Sequence, residues 1–358
     1  MSSAHEDTGA GGDVPAQRPP IRVVAVGIGE MGKKLCRTLL EREGVEIVAA
    51  CDNDPGIAGR DLGDVIGLGR ELGLAVCAGV DDVFRDVEAD IALFCTVTDL
   101  EELTPQILAA LDAGCDVIST SEPLSYSWRT APEHTAALDA AAKAQGLSIL
   151  GTGICPGFLP DVVPIVATLG SRRIDHIDIR IFGDVFPYGP SVWKGMGLGL
   201  TQEEYGRRLG REVDIEFSEP VDQVAAAIGL RLDEVREASE PLLAPHDIRV
   251  GALEVGQGRV CGFLQTTTGY VGEREVIRLT VEGPLCCDLP PFTVEVKVTG
   301  QPNVKLRLEL EHEDGWSTST VVANMIPRVL AAPPGFVAMK DLTLAGALAG
   351  DVRAVLGE

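Results

Sequence analysis

The feature that most constrains this chain is a glycine-rich stretch near its start, Ile21-Arg-Val-Val-Ala-Val-Gly-Ile-Gly-Glu-Met-Gly32. The apolar run predicts a buried strand, and the residues after the glycines carry apolar side chains at helical spacing. Gly27, Gly29 and Gly32 match the turn that binds dinucleotides, where glycines permit a tight bend and close approach of a pyrophosphate. The backbone N–H groups expected to face the phosphates belong to the first helical residues, Glu30, Met31 and Gly32.

Strand and helix patterns alternate from Ile21 to Gly151, including an expected strand at 74–77. This alternation predicts a Rossmann-type, doubly wound parallel sheet. Beyond residue 160 the pattern changes: residues 201–240 have a helical pattern, and longer strands follow between 246 and 311. We therefore predict an α/β fold with a second α+β domain, built on an open mixed, mostly antiparallel sheet.

These patterns also suggest how the chain divides into domains. We expect a disordered tail at 1–20 and a dinucleotide-binding domain at 21–150. A substrate-binding and dimerisation domain follows at 151–323, and we expect 324–358 to pack back on the first domain. Exposed edges and faces of an open sheet need cover, which favours a homodimer.

Composition narrows the possible partners and the compartment. The formal net charge of −24 disfavours binding to nucleic acid or to an anionic membrane surface. No apolar run is long enough to predict a membrane span. Most of the nine cysteines lie in apolar runs, which is typical of a reduced, cytoplasmic protein. Neither the adjacent Cys286-Cys287 pair nor the scattered histidines have metal-ligand spacing, so we predict no metal site.

Acidic and hydroxyl residues follow the expected strands at the edge where a dinucleotide would lie. Asp52, at the end of the second strand, is placed to hold the adenosine ribose hydroxyls and favours NAD, although a plain turn residue is the alternative. Arg60 lies nearby and would suit the 2′-phosphate of NADP, so both cofactors stay open. Thr96 and Val97 end a later strand and would lie beneath the ribose and nicotinamide. The alternative is a helix N-cap by Thr98 or Asp99, and both roles are compatible.

Glu122 directly follows another expected central strand, within Val117-Ile-Ser-Thr-Ser-Glu-Pro-Leu-Ser-Tyr126. Ligands of open α/β sheets bind at the carboxyl ends of such strands. A lone carboxyl group in an apolar setting would have a raised pKa suited to proton transfer. The alternative is a helix cap or a surface acid.

Three further stretches follow the Val117–Tyr126 stretch along the chain. They are Gly151-Thr-Gly-Ile-Cys-Pro-Gly-Phe-Leu-Pro-Asp161, Val322-Ala-Asn-Met-Ile-Pro327 and Ala332-Pro-Pro-Gly335. In this order and spacing the four stretches resemble the native amine dehydrogenases, relatives of 2,4-diaminopentanoate dehydrogenase with a first domain like that of dihydrodipicolinate reductase. Together the resemblance covers about Ile21 to Asp341.

The resemblance implies reversible oxidative deamination of a small amine, or reductive amination of a ketone or aldehyde with ammonia, using NAD or NADP. It implies that Glu122 is the acid/base, since a carboxylate takes a proton from ammonium and stabilises an iminium ion. It also implies that Ser121 and Asn324 lie near the cofactor, and that Tyr126, Cys155 and Phe158 lie near the substrate. The family commonly has an acid at the position of Pro123 and Asn at that of Cys155, and it often has Met at that of Pro160. These departures affect which substrate we expect, but not the reaction class.

The remaining candidates for the substrate site lie in the second domain. Tyr188, Trp193 and Met196 stand in a segment rich in glycine and proline, which suits a pocket wall or lid, with ordinary core packing as the alternative. Gln265 lies on an expected strand, where a polar substrate contact and a plain exposed strand face are both open. Two other functions stay open for the whole chain: an oxidoreductase of ordinary carbonyls or hydroxy acids, and a non-catalytic NAD(P)-binding sensor.

Overall fold

The computed structural model describes residues 18–356 except 86, 212, 214–215, 251–252, 287–289, 312, 314, 343–345 and 348–349. Most of the expected tail lies outside the described residues, as do Cys287 and His312. In chain order, the described strands are β1 (Ile21–Val26), β2 (Val45–Cys51), β3 (Ile91–Phe94), β4 (Asp116–Ser119), β5 (Ser148–Gly151), β6 (Arg173–Phe182), β7 (Glu234–Leu243), β8 (Ile248–Val250), β9 (Leu253–Val255), β10 (Val260–Val271), β11 (Arg274–Pro284), β12 (Phe292–Gln301), β13 (Val304–Leu310) and β14 (Gly335–Val337).

Helices lie between these strands and are mostly short. In chain order, the described α-helices are α1 (Glu30–Leu40), α2 (Leu62–Val65), α3 (Val80–Val83), α4 (Leu100–Asp112), α5 (Pro132–Gln145), α6 (Val162–Thr168), α7 (Pro190–Gly195), α8 (Gln202–Arg208), α9 (Ser218–Ala227) and α10 (Ser317–Leu330). None of them combines the length and apolarity needed to cross a membrane.

The first sheet has six parallel strands in the order β14-β5-β4-β3-β1-β2. Val23 and Ala25 of β1 pack into one core cluster, and Val24 and Val26 pack into another. Helices cover both faces of such a sheet, which explains why its strands are apolar throughout rather than alternating. The predicted Rossmann-type fold is therefore confirmed. The strand order reverses between β1 and β3, and ligands of open α/β sheets bind beside such a switch point.

The second sheet has the order β13-β12-β6-β11-β10-β7. Only the β6–β11 pair is parallel, so the predicted mixed, mostly antiparallel sheet is confirmed. The side chains of Ile177, Ile179 and Ile181 are buried, whereas those of Asp178 and Arg180 lie on the opposite, polar face. Helices α6 and α9 pack on the sheet, so one face is covered and the other is wet.

Two predictions of local structure were wrong. Residues 201–240 are helical only as far as Ala227, and Glu234–Leu243 form the edge strand β7, which pairs with β10. Charged residues and a proline protect an edge strand from aggregation, but they hide the strand pattern in the sequence. No strand forms at 74–77 either, where only isolated bridges at Ala75 and Cys77 occur.

The end of the chain returns to the first sheet. Strand β14 lies parallel to β5, where Phe336 pairs with Ile149. Helix α10 packs against α1, and the hydroxyl groups of Ser319 and Thr38 are 3.0 Å apart. The last part of the chain therefore packs against both the first sheet and helix α1.

Candidate active site

The glycine turn between β1 and α1 has room for a side chain at only one of its three glycines. Gly27 has a φ of +84°, and a Cβ placed there would lie 2.4 Å from the Cys95 carbonyl oxygen. A Cβ on Gly32 would lie 1.9 Å from the Gly27 carbonyl oxygen. A Cβ on Gly29 would meet no atom within 4 Å, so the protein itself does not require this glycine. The open approach at Gly29 suits an anionic ligand on the backbone.

Helix α1 begins directly after this opening. Gly29 is its N-cap and offers no side-chain acceptor, so the first-turn N–H groups, among them those of Glu30 and Met31, have no partner from a capping side chain. The exposed Glu30 carboxylate adds negative charge here, but Lys33 pairs with it at 3.0 Å. The helix N-terminus is therefore able to receive phosphate oxygens.

Asp52 lies at the end of β2 and is bonded to the glycine turn. Its carboxylate accepts a 2.6 Å hydrogen bond from the Ile28 N–H and a 2.8 Å bond from the Asp54 N–H. Each carboxylate oxygen retains further acceptor capacity for ribose hydroxyls. The Arg60 side chain is exposed on the following loop, with Nη1 3.4 Å from the Gly56 carbonyl oxygen. The residues present fit a dinucleotide, since the turn, the helix end and an acid meet at one edge of the sheet.

The ends of β3 and β4 lie beside this turn. Thr96 is exposed, and its Cγ2 would be 2.8 Å from a Cβ on Gly27. Val97 is half-buried next to it. The buried Ser121 hydroxyl group donates to the Thr98 carbonyl oxygen at 3.4 Å. The structure thus brings these predicted cofactor residues to the edge that carries the glycine turn.

Glu122 opens a short 3-10 turn, Glu122–Ser125, directly after β4. A Cβ on Gly151 would lie 2.2 Å from the Leu124 carbonyl carbon, so this turn sits tightly against the end of β5. The Glu122 side chain is exposed, and the apolar setting suggested by the sequence is therefore wrong. An exposed carboxylate at a strand end can still exchange protons with a ligand in the crevice.

Cys155 and Tyr188 come from different parts of the chain and lie in the same region as Glu122. Burial raises the pKa of the Cys155 thiol, and the nearby carboxylates of Asp161 and Glu122 raise it further. Burial also raises the pKa of the Tyr188 hydroxyl, followed by the effects of Cys155, Glu313 and Asp184. Both groups therefore stay protonated at neutral pH and can donate hydrogen bonds.

The loop that carries Tyr188 lies over the start of α1. Lys34 Nζ donates to the Pro187 carbonyl oxygen at 3.4 Å, and a Cβ on Gly189 would lie 3.8 Å from the Glu30 side chain. This segment of the second domain therefore borders the glycine turn of the first. A substrate held by it would be close to a bound dinucleotide.

Apolar side chains complete this border. Phe158 packs against the cores of both sheets, and Met196 packs against the core of the second. The Trp193 ring stacks on Phe186 at 5.8 Å, and its Nε1 donates to the Val185 carbonyl oxygen at 2.9 Å. Trp193 and Met196 are only partly buried, so their side chains can pack against the core and also form part of a pocket wall.

Tyr126 follows the 3-10 turn and is half-buried, with Lys340 Nζ 5.6 Å from the centre of its ring. Burial raises the pKa of its hydroxyl group, and the carboxylates of Asp341 and Asp222 add to the effect. Tyr126 thus stands between Glu122 and the part of the chain that follows β14.

Two predicted site residues are placed elsewhere. Asn324 accepts a 3.1 Å hydrogen bond from Arg42, which lies beyond the C-terminal end of α1, whereas the glycine turn is at the other end. Its expected position beside the cofactor is therefore wrong. Gln265 is buried in β10, with Nε2 3.4 Å from a Glu237 oxygen, and no described contact links it to Glu122.

Several residues that hold the site together were not predicted from the sequence. Asp161 is fully buried, and its carboxylate accepts hydrogen bonds from the N–H groups of Gly157 and Val162 at 2.8 and 2.7 Å. Burial raises its pKa to about 6. Thr318, at the start of α10, accepts from the Ile154 N–H at 3.3 Å. The glycines and proline around Cys155 were the available signal for a loop closed by a side chain.

No group of three or more His, Cys, Asp or Glu side chains within the described residues is arranged to hold a metal ion.

Comparison with known proteins agrees with this arrangement. Residues 21–118 match the family profile of the dihydrodipicolinate reductase N-terminus, and residues 158–358 match that of the 2,4-diaminopentanoate dehydrogenase C-terminal domain. The chain is 29% identical over 348 residues to the 2,4-diaminopentanoate dehydrogenase of Acetoanaerobium sticklandii, covering 94% of this chain and 98% of that protein. It is 24% identical to the amine dehydrogenase of Streptomyces virginiae, covering 92% of this chain and 98% of that one.

A solved structure gives the same result. The amine dehydrogenase from Mycobacterium smegmatis superposes with a TM-score of 0.83 at 29% identity, covering 90% of this chain and 96% of that one. The agreement includes both sheets, and the expected resemblance is confirmed. Because the second profile covers more than half of the chain, this protein belongs to the family of the 2,4-diaminopentanoate dehydrogenase C-terminal domain, with a dihydrodipicolinate reductase-like first domain.

Proposed function

We propose that this protein is an NAD(P)-dependent amine dehydrogenase, an oxidoreductase acting on the CH–NH2 group of a small amine. The overall reaction converts amine, NAD(P)⁺ and water into a ketone or aldehyde, ammonia, NAD(P)H and a proton, and it is reversible. Family membership and the named relatives support this reaction class. The observation that carries the proposal is the glycine turn and Glu122 at the same edge of one parallel sheet.

The nucleotide would be held by residues of the first sheet's carboxyl edge. Gly27, Gly29 and the first turn of α1 suit the pyrophosphate, and Asp52 suits the adenosine ribose. Thr96 and Ser121 suit the far end of the cofactor. When bound, NAD(P) supplies the hydride acceptor for amine oxidation and the hydride donor for reductive amination.

Glu122 is the proposed acid/base of this reaction. In the oxidative direction, its carboxylate accepts a proton from the substrate ammonium group, which leaves a neutral amine. That proton passes to solvent, which restores the carboxylate, and its negative charge then stabilises the substrate iminium ion. The carboxylate next removes a proton from the water that adds to the iminium carbon. The protonated thiol of Cys155 and hydroxyl of Tyr188 offer hydrogen bonds at the same place, while the apolar side chains of Phe158, Trp193 and Met196 border the substrate side.

An ammonia-dependence assay tests the proposal. Purified protein is mixed with NADH or NADPH and a panel of small ketones and aldehydes, with and without ammonium chloride. Cofactor oxidation that requires ammonia supports the amine dehydrogenase. Turnover without ammonia would identify an oxidoreductase of ordinary carbonyls, and cofactor binding without any turnover would identify a sensor.

The proposal also includes the roles of the domains, the oligomeric state and the location of the protein. We infer that 21–150 bind the nucleotide and that 324–358 pack back on this domain. We also infer that 151–323 bind the substrate and form a homodimer. The polar face of the second sheet supports the dimer: it carries interleaved charges of both signs on β6, β12 and β13 around a groove of about 400 Å³. The thiols of seven described cysteines support a cytoplasmic location, namely Cys36, Cys51, Cys77, Cys95, Cys115, Cys155 and Cys261.

A further inference from the structure

Helix α9 presents buried polar side chains to the segments that meet at the candidate site. Glu219, Asp222 and Gln223 are 8% exposed or less, and their spacing places them on one face of the helix. Buried polar groups are costly unless they are hydrogen-bonded, so such a face requires partners. All three residues find partners on segments outside α9.

Two of these side chains hold the segment that follows Glu122. The Arg129 guanidinium donates a 2.6 Å hydrogen bond from Nε to the Asp222 carboxylate, and the Thr130 hydroxyl donates to Glu219 at 2.7 Å. The 3-10 turn that begins at Glu122 lies between these contacts and the end of β5, where Gly151 allows close packing. The turn is therefore held on one side by the first sheet and on the other by a helix of the second domain.

Gln223 fixes α9 itself relative to the neighbouring loops. Its Nε2 donates to the Asp161 carboxylate at 3.0 Å, and its Oε1 accepts from the Lys340 N–H at 3.2 Å. Asp161 closes the loop that carries Cys155, as described above. A single buried amide thus connects α9 to the loop beside Glu122 and to the segment after β14.

We propose that Arg129 and Asp222 form a positioning pair for Glu122. Their charge-assisted hydrogen bond joins the two domains and sets where the Glu122 carboxylate stands relative to the substrate side of the crevice. A displacement of about 1 Å in a reacting group can lower a rate about a hundredfold. The inference rests on the proposed function, because it assigns Glu122 its role in the reaction.

The test is steady-state kinetics of reductive amination with the full-length enzyme. Arg129→Ala is expected to lower kcat about tenfold to a hundredfold, with the KM for NAD(P)H within about twofold of wild type. Arg129→Lys keeps a cation and should recover part of the rate. Arg85→Ala is the control, since it removes an exposed 2.8 Å pair with Asp82 and should leave kcat unchanged.

A double variant separates positioning from stability. Arg129→Ala leaves the Asp222 carboxylate buried without its cation, which lowers Tm. Adding Asp222→Asn removes that charge, so Tm should return toward wild type while kcat stays low. Recovery of kcat together with Tm in the double variant would overturn the positioning role. A kcat of Arg129→Ala within about twofold of wild type would do the same, and both results would leave the proposed function intact. A wild-type protein without ammonia-dependent turnover would overturn the proposed function and this inference together.

Discussion

The Ile28 N–H donates a 2.6 Å hydrogen bond to the Asp52 carboxylate, which ties the glycine turn to the end of the second strand. This contact means that one acid both braces the turn and faces the place expected for the adenosine ribose. It therefore links the geometry of the phosphate site to the choice between NAD and NADP.

Asp52→Asn is expected to shift cofactor preference toward NADP. The amide keeps one acceptor for the turn but removes the charge that repels a 2′-phosphate. The ratio of kcat/KM for NADPH to that for NADH should rise about tenfold. Asp64→Asn is the control, because it neutralises an exposed carboxylate on α2 and should leave the ratio unchanged. An unchanged ratio in Asp52→Asn would remove this acid from the account of cofactor choice.

Gly29→Ala should weaken cofactor binding, whereas Gly32→Ala should lower the stability of the fold. At Gly29 a methyl group enters open space, so the free energy of unfolding should change by less than about 1 kcal/mol. Its effect should instead be on NAD(P)H binding, with Kd raised about tenfold because the methyl group meets the pyrophosphate.

At Gly32 the methyl group would meet the Gly27 carbonyl oxygen at 1.9 Å, and the unfolding free energy should fall by about 3 kcal/mol. Urea unfolding and fluorescence titration of both variants check the pair of predictions. Equal Kd values for Gly29→Ala and wild type would argue against a pyrophosphate at that opening.

Glu219 should make the protein less stable as the pH rises. Burial raises the pKa of its carboxyl group from the ordinary 4.5 to about 7. A carboxyl group with a raised pKa contributes stability below its unfolded pKa, and that contribution is lost as the pH rises through the folded pKa. The loss therefore falls between about pH 4.5 and pH 7, and it amounts to at most about 3 kcal/mol.

Glu219→Gln removes this titration and keeps an acceptor for the Thr130 hydroxyl. Urea unfolding at pH 5 and pH 8 should show the variant gaining stability over wild type as the pH increases. A difference between the two proteins that is the same at both pH values would contradict the assigned titration.

Charge reversal on the wet face of the second sheet should dissociate the proposed homodimer. Across the strands, Arg180 pairs with Glu295 and Lys297 with Asp178, so this face carries both signs of charge. Arg180→Glu combined with Lys297→Glu replaces the basic residues that β6 and β12 contribute to this groove by acidic ones. Like charges on these two strands would then meet across a self-complementary interface. Light scattering should give a monomer for the double variant and a dimer for wild type. A dimer that persists would move the interface elsewhere.

The glycine turn and the strand ends were predictable because their signals are local. Gly27 and Gly32 are needed by contacts within a few residues of the turn or with the adjacent strand, and the apolar strands follow from burial on both faces. The edge strand β7 was missed because its charged residues give no alternation and its partner β10 comes later in the chain.

Longer-range features of the site could not be read from the sequence. Asn324 was expected beside the cofactor, but the helix pairing of α10 with α1 places it near Arg42 at the wrong end of α1. The Arg129–Asp222 pair joins residues 93 positions apart and follows no spacing rule. Such contacts arise only when the two domains pack together.

The most direct measurement is ammonia-dependent oxidation of NAD(P)H by wild type and Glu122→Gln with the same carbonyl substrate. Gln keeps the size of the side chain but can neither accept a proton nor stabilise an iminium ion by charge. We predict that kcat falls by at least about a hundredfold while the Kd for NAD(P)H is unchanged. A Glu122→Gln enzyme with the wild-type kcat would contradict the account.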